Sequence, residues 1–215
     1  HRLSVRRPAD EPFAAVTPVV PKFSPDGRRV LVGWNSAGSD ARPEPGLALR
    51  PRQVVDVATG KVVLEFEAAR PWTPLRTPTE GAFSPDGRRF ASTVAVPLTG
   101  NGLGQGRARV WDLDGGREVG PEVEAADLAD PPFGPDGNRL VTVRVATTPE
   151  VRVRVAVHDV ARGVELTGWD VSPEAALRAL AVSPDGTRVA GVTGDRPPRL
   201  NGRLPYLEWK GVTVW

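Results

Sequence analysis

A chain of 215 residues with 40% hydrophobic content is long enough for one well-packed core, and its 23 glycines and 23 prolines, spread among apolar stretches, punctuate structure. A net charge of +2 leaves no electrostatic footprint for nucleic acid, because the pI of about 9.5 reflects the high pKa of arginine more than an excess of positive charge. The lack of cysteine excludes disulfides, thiolate metal sites and cysteine nucleophiles, and no run approaches the roughly 18 apolar residues of a membrane span, so no membrane insertion is expected.

Residues 1–7 lack the apolar core of a signal peptide and pattern as an outer strand following a glycine turn. The first repeat, 14–67, runs from the apolar stretch Val16–Val20 through Phe23-Ser24-Pro25-Asp26-Gly27-Arg28 into the strand Arg29–Val32. It continues through Val54-Val55-Asp56-Val57-Ala58-Thr59-Gly60 and returns as a strand from Lys61 to Glu67. The second repeat, 79–123, carries Phe83-Ser84-Pro85-Asp86-Gly87-Arg88 and then Val110-Trp111-Asp112-Leu113-Asp114-Gly115-Gly116. The third, 128–169, carries Phe133-Gly134-Pro135-Asp136-Gly137-Asn138 and Val157-His158-Asp159-Val160-Ala161-Arg162-Gly163. The one plausible place for a short helix, 172–178, leads into the fourth repeat, 176–215, which carries Val182-Ser183-Pro184-Asp185-Gly186-Thr187 and the closing strand Val212–Trp215.

The Pro-Asp-Gly element thus recurs four times at spacings of roughly 50 to 60 residues. Each copy is a turn in which Pro presets φ, Asp bonds to nearby backbone and Gly takes the left-handed conformation. With a strand on either side, and a second turn at Asp56, Asp112 and Asp159, each unit reads as four antiparallel strands. One such sheet cannot cover both of its faces unless neighbours stack on it, which points to an all-β propeller of about four blades in one domain.

The Ser-Pro-Asp-Gly turns and Trp111-Asp112 resemble those of the WD40-repeat family in a divergent, bacterial-type form, over essentially the whole chain. The resemblance implies a non-catalytic protein–protein interaction scaffold, part of a larger multidomain protein. It also implies a polar network of Ser or Thr with Trp and Asp within a blade. The second repeat keeps Ser92 and Trp111, the fourth keeps Thr193, Asp195 and Trp215, and the rest are expected to rely on apolar packing. The family's Gly-His pair is missing, Val55 replaces Trp in the first repeat, and His158 replaces it in the third, as a structural substitute. The phase, from strand four to strand three, suits a closed small ring or, the favoured case, a segment of a larger ring or two self-associating chains that complete one.

Short uniform turns on one face of such a propeller oppose long, dissimilar connections on the other, at 35–52, 68–80, 97–107, 168–175 and 194–210. Trp34, Trp72, Trp169 and Trp209 fall in or beside them, with Arg70, Arg76, Arg199 and Tyr206, and these residue types dominate interface energetics. They form the expected binding face for a protein or peptide partner. Catalytic, cofactor and metal sites are not expected. Gly102-Leu103-Gly104-Gln105-Gly106 precedes a strand rather than a helix, Asp112-Leu113-Asp114-Gly115 lacks the closing Glu of a calcium loop, and Arg196-Pro197-Pro198-Arg199 reads as a stiff loop. The alternative is a propeller hydrolase or small-ligand sensor using the central channel, where Val16–Val20 and Leu180–Val182 offer no acid or base.

Overall fold

The computed structural model describes residues 16–18, 20–36, 50–68, 81–95, 106–125, 127–146, 152–171, 180–183, 188–195 and 208–214. All regular structure among them is antiparallel β. Blade one holds β1 (Val16–Pro18), β2 (Lys22–Phe23), β3 (Arg29–Ser36), β4 (Arg50–Asp56) and β5 (Val62–Ala68). Both β1 and β2 pair with β3, so they are two pieces of one inner strand. Blade two holds β6 (Ala82–Phe83), β7 (Arg89–Ala95), β8 (Gly106–Asp112), β9 (Arg117–Glu118) and β10 (Val123–Glu124), the last two being one outer strand interrupted at Gly120. Gly120 has φ +69° and a Cβ there would lie 2.1 Å from the Val160 carbonyl of the next blade, so the interruption is a close approach that only glycine permits.

Blade three holds β11 (Asp127–Phe133), β12 (Arg139–Ala146), β13 (Arg152–Asp159) and β14 (Glu165–Val171). Blade four shows β15 (Leu180–Val182), β16 (Val189–Asp195) and β17 (Glu208–Val214). The expected outer strand at 1–7, the helix near 172–178, and the turn residues Asp185 and Gly186 lie outside the described residues.

The repeated turns form because one carboxylate and one hydroxyl satisfy the backbone that the reversal leaves open. The Ser24 hydroxyl donates to Asp26 Oδ1 at 2.6 Å and accepts from Arg29 N at 2.9 Å, while Arg28 N donates to Asp26 Oδ1 at 3.1 Å. Ser84, Asp86, Arg88 and Arg89 repeat this arrangement. The third turn has Gly134 in place of Ser and keeps only the backbone closure and the bond from Asn138 N to Asp136. Gly27, Gly87 and Gly137 have φ between +67° and +70°. The Asp-to-Gly turns are built likewise, with Asp56 and Asp159 accepting from Thr59 N and Arg162 N. Within each blade the two turns are stitched together by Val57 N to Arg28 O, Leu113 N to Arg88 O and Val160 N to Asn138 O, all at 2.8–2.9 Å. One end of each of these three sheets is therefore a continuous backbone net.

Alternation along the strands sends apolar side chains to both faces of each sheet. Leu31, Val54, Leu64 and Phe66 of blade one meet Phe90, Leu113 and Trp111 of blade two. From the other face of blade two, Ala91, Ala108, Val110 and Val123 meet Leu128, Phe133, Leu140 and Val160 of blade three. The core is thus a series of seams between sheets rather than one central mass. Each seam is also clasped at its turn end. Arg29 donates to the Gly87 carbonyl at 2.6 Å and pairs with Asp114, and Arg89 donates to the Gly137 carbonyl at 2.7 Å and to Asn138 Oδ1 at 3.0 Å.

The seam gives two chemically identical turn glycines different tolerances. A Cβ at Gly27 meets nothing within 4 Å, whereas one at Gly87 falls 2.8 Å from the carboxylate of Asp26 in the preceding blade. Gly27→Ala is expected to cost about 1 kcal/mol through its left-handed backbone alone. Gly87→Ala should cost more, since Asp26 must also shift off Ser24. Denaturant unfolding of both variants checks this, and equal losses would mean that the contact between turns contributes nothing.

Candidate functional site

Strand ends sort the expected binding residues. The turn net occupies one end of the sheets, and the connections 37–49, 96–105, 147–151 and 196–207 leave from the other. Trp34 sits near that end of β3, opposite Pro18; Trp169 lies on β14 opposite Val155; Trp209 is the second residue of β17, opposite Gly194. Three of the four tryptophans are therefore strand residues near the loop end. The strands extend further than their sequence suggests, since Asn35–Ser36, Arg50–Arg52, Gly168–Val171 and Glu208–Lys210 stay in ladders. Gly168 illustrates why. Glycine looks like a loop signal, but Gly168 pairs with Ala156 inside the ladder, beneath the ends of the Glu165 and Arg154 side chains, which a Cβ there would approach to 2.7 and 2.9 Å. Trp72, Arg70, Arg76, Arg199 and Tyr206 lie outside the described residues, as does the Gly-rich stretch 101–105. Trp169 is half-buried.

Charged pairs run along the outer strands of blades two and three, from Glu118 and Glu165 beside the turns toward Glu122, Glu124 and Asp170 nearer the loop end. Arg107 pairs with Glu122 at 3.0 Å, Arg109 with Glu118 at 3.3 Å and with Glu122, and Arg154 with Glu165 at 2.5 Å and Asp170 at 2.9 Å. Arg144 of blade three reaches Glu124 of blade two. Hydrogen bonding from Arg107 holds Glu122 below the usual carboxylate range, and the Arg154 guanidinium does the same for Glu165. These acids are held ionised, which suits charge pairing and opposes proton donation. Among the described residues no group of His, Asp and Glu could hold a metal ion.

Two polar pairs, one part-buried and one buried, lie at equivalent places in adjacent seams. The Trp111 indole N–H donates to Ser92 Oγ at 3.1 Å, and in blade three His158 Nε2 and Thr142 Oγ1 share a hydrogen bond of 3.0 Å. Registers explain the match: Phe90 faces Trp111 and Leu140 faces His158, so Ser92 and Thr142 each lie two residues further along the same face. His158 thus stands in for Trp, as its position suggests. The expectation that blade three would rely on apolar packing is corrected, because imidazole Nε2 reaches the same hydroxyl position as indole Nε1. In blade one the expectation of apolar packing does describe the position, where Val30 and Val55 are opposite each other and buried. The fourth blade differs from expectation. Counting from the arginine that closes each turn, the place of Ser92 and Thr142 is taken by Gly191, and Thr193 lies two residues beyond it, opposite Gly211. Trp215 lies outside the described residues.

The arginine clasp was not anticipated from the sequence, yet a signal for it is present. The first residue after each turn glycine varies among Arg28, Arg88, Asn138 and Thr187, while the second is always arginine: Arg29, Arg89, Arg139 and Arg188.

Antiparallel sheets stacked in series, the first three joined by two seams and two arginine clasps, define a β-propeller. A family model described as the lipoprotein LpqB β-propeller domain matches residues 68–198, more than half of the chain, and the chain belongs to this family. The β-propeller domain of the Trilobed protease from Pyrococcus furiosus is similar in structure, with a TM-score of 0.59 at 12% identity, over 94% of this chain and 55% of that one. Pyrococcus horikoshii acylaminoacyl peptidase is similar with a TM-score of 0.58 at 14% identity, over 94% of this chain and 31% of that one. Kuenenia stuttgartiensis hydrazine synthase is similar with a TM-score of 0.50 at 17% identity, over 85% and 57%. The chain spans less than two thirds of the length of each, and at these identities the likeness is one of fold. No curated protein matches the sequence.

His158 makes the second seam sensitive to pH. Burial pushes its pKa below the ordinary imidazole value, and its Nδ1 is buried with no hydrogen-bond partner, so a second N–H would have nothing to donate to. The unfolded chain takes up this proton near pH 6.5 while the folded chain does not, so stability is full above about pH 6.5 and falls as the pH drops through the lowered folded value. Melting temperature measured from about pH 7 to about pH 5.5 should decline for the wild type. It should be flatter for His158→Phe, and equal slopes would show that His158 charges freely in the folded state.

Proposed function

We propose that this propeller is a non-catalytic interaction module that captures a protein or peptide partner on its loop face. The observation that carries this reading is the asymmetry between the two ends of the sheets. The turn end repeats one hydrogen-bonded design from blade to blade, while the loop end is closed by connections of unequal length and composition. A scaffold that holds one end constant can vary the other without loss of fold. Trp34, Trp169 and Trp209 at the loop ends of their strands supply large, amphipathic anchors of the kind that dominate binding energy. A finer likeness to WD40 repeats, and membership of a larger bacterial protein, belong to the same proposal. The paired, ionised state of Glu122 and Glu165 favours an interaction surface over a hydrolase or small-ligand sensor.

The test uses a peptide selected on the wild-type chain from a random display library. Trp72→Ala and Trp209→Ala should each weaken its binding by roughly 2 kcal/mol or more. Arg28→Ala and Lys61→Ala, on the turn end, should leave it nearly intact because exposed charges contribute little. Melting temperatures taken alongside separate an anchor from a side chain that only packs between blades. Loss of binding in the Arg28 and Lys61 variants, with both tryptophan variants binding normally, would move the site to the turn end and overturn the reading.

A further inference from the structure

Asp-Gly pairs fall among the described residues at Asp26, Asp86, Asp114 and Asp136, and all but Asp114 belong to the repeated turns. Such a pair can rearrange unaided, because glycine has no side chain to shield its amide nitrogen from the preceding carboxyl carbon. The reaction needs that nitrogen free to attack and the carboxyl group free to turn toward it. The repeated turns deny both. Gly27 N, Gly87 N and Gly137 N donate to the carbonyls of Ser24, Ser84 and Gly134 at 2.9–3.0 Å. Their carboxylates are drawn the other way, since Oδ1 of Asp26, Asp86 and Asp136 accepts from the amide two residues on at 2.9–3.1 Å. Asp26 and Asp86 also accept from a serine hydroxyl at 2.6 Å.

Asp114 lies in the second turn of blade two and has neither restraint. In the sister turns the amide at the place of Gly115 is held, by bonds of 2.8 Å from Thr59 N to Asp56 Oδ1 and 2.9 Å from Arg162 N to Asp159 Oδ1. In blade two the Asp112 carboxylate takes Asp114 N instead, at 3.2 Å, and Gly115 N meets no acceptor among the described residues. Asp114, Gly115, Gly116 and Arg117 are all exposed, and a Cβ at Gly116 meets only the Val63 carbonyl, at 3.6 Å. The turn can therefore open with little loss of contact. The Asp114 side chain is 61% exposed and pairs with the Arg29 guanidinium of blade one, a contact open enough to water to let the carboxylate go.

We propose that Asp114 is a site of spontaneous modification, at which attack by Gly115 N converts aspartate to isoaspartate and loosens the clasp of the first seam. Gly115 N bonds to Asp114 Cγ, and the amide proton, one carboxyl oxygen and a proton from solvent leave as water, closing a cyclic imide. Water then adds across the bond between Gly115 N and the Asp114 main-chain carbonyl carbon. That bond breaks, the nitrogen regains a proton, and the carbonyl carbon becomes a free carboxylate that returns a proton to solvent. Hydrolysis at Cγ instead restores aspartate. Composition and charge are unchanged, but the chain now runs through Cγ and is one methylene longer. The new carboxylate sits on the carbon where the backbone used to pass, so Arg29 loses Asp114 as an acceptor and keeps the Gly87 carbonyl. This inference concerns the turn end and stands apart from the loop-face reading.

Incubation of the protein for weeks at neutral pH tests it, with peptide mapping for isoaspartate and an isoaspartyl methyltransferase as the labelling probe. Isoaspartate should accumulate at Asp114 several-fold faster than at Asp26, Asp86 or Asp136. The same incubation in denaturant should bring these sites to similar rates, because hydrogen bonding rather than sequence separates them in the folded chain. Melting temperature should fall as Asp114 converts. It should hold over the same period in Asp114→Glu, whose longer side chain does not close the ring readily. Equal rates in the folded chain, or faster conversion in any of the repeated turns, would overturn the assignment of the site. So would a folded chain that forms no isoaspartate at Asp114 while the denatured one does. A melting temperature that falls equally in Asp114→Glu would overturn the link to the clasp.

Discussion

A small sheet with apolar side chains on both faces cannot be stable alone, and every other feature of this molecule follows from how those faces are covered. Leu31 and Val54 point to one side of blade one while Val30 and Val55 point to the other, so each sheet needs a neighbour on either side. Burying a side chain such as Leu31 or Phe90 contributes on the order of 1.5–3 kcal/mol, but apolar contact is non-directional and tolerates sliding of one sheet over the next. The arginine clasp removes that freedom. A guanidinium bond from Arg29 to the Gly87 carbonyl, with Asp114 as second acceptor, holds only at one offset and one angle between blades. Burial therefore brings the sheets together, and the clasp sets their register.

Most of the blade pattern is legible in the residues because it is local. A left-handed glycine, a carboxylate two residues from a hydroxyl and flanking alternation are all short-range, and Gly27, Gly87 and Gly137 adopt the expected conformation. What escapes a linear reading depends on register between strands or between blades. Thr142 and His158 are 16 residues apart and become partners only because Leu140 lies opposite His158. Gly191, rather than the nearby Thr193, inherits the same position because the count runs from the closing arginine and not from the nearest hydroxyl. The candidate binding face was legible only in outline. Trp34, Trp169 and Trp209, which look like loop residues, are strand residues near the loop end, because ladders continue wherever a partner strand continues, and Gly168 is a ladder residue rather than a turn.

The two ends of the propeller carry their charge differently. At the turn end the Ser24 hydroxyl, and then the Arg28 amide, hold Asp26 below the usual carboxylate range, so its charge serves its own turn. Along the outer strands of blades two and three, acids and arginines bridge neighbouring strands, as in Arg154 with Glu165 and Asp170, and in one place neighbouring blades, as in Arg144 with Glu124. Exposed pairs of this kind add little to stability. Their consequence is a surface of alternating sign along the outer strands of these two blades.

The two seams among the described residues differ in their inner chemistry. The first has Trp111 on Ser92 with Phe66 and Phe83 against Phe90, and the second has His158 on Thr142 among smaller side chains such as Ala91 and Ala108. The outward face of blade one has neither bond, only Val30 and Val55 beneath Phe23. Repeated units with interchangeable faces could stack in the wrong order during folding, a hazard of tandem repeats. The Trp111 indole and the His158 imidazole, each tied to a hydroxyl of its own blade, present different shapes to the neighbouring sheet, so a wrong neighbour would pack less well. Divergence between the two seams thus makes their faces non-interchangeable, while the same arginine and turn glycine close both of them.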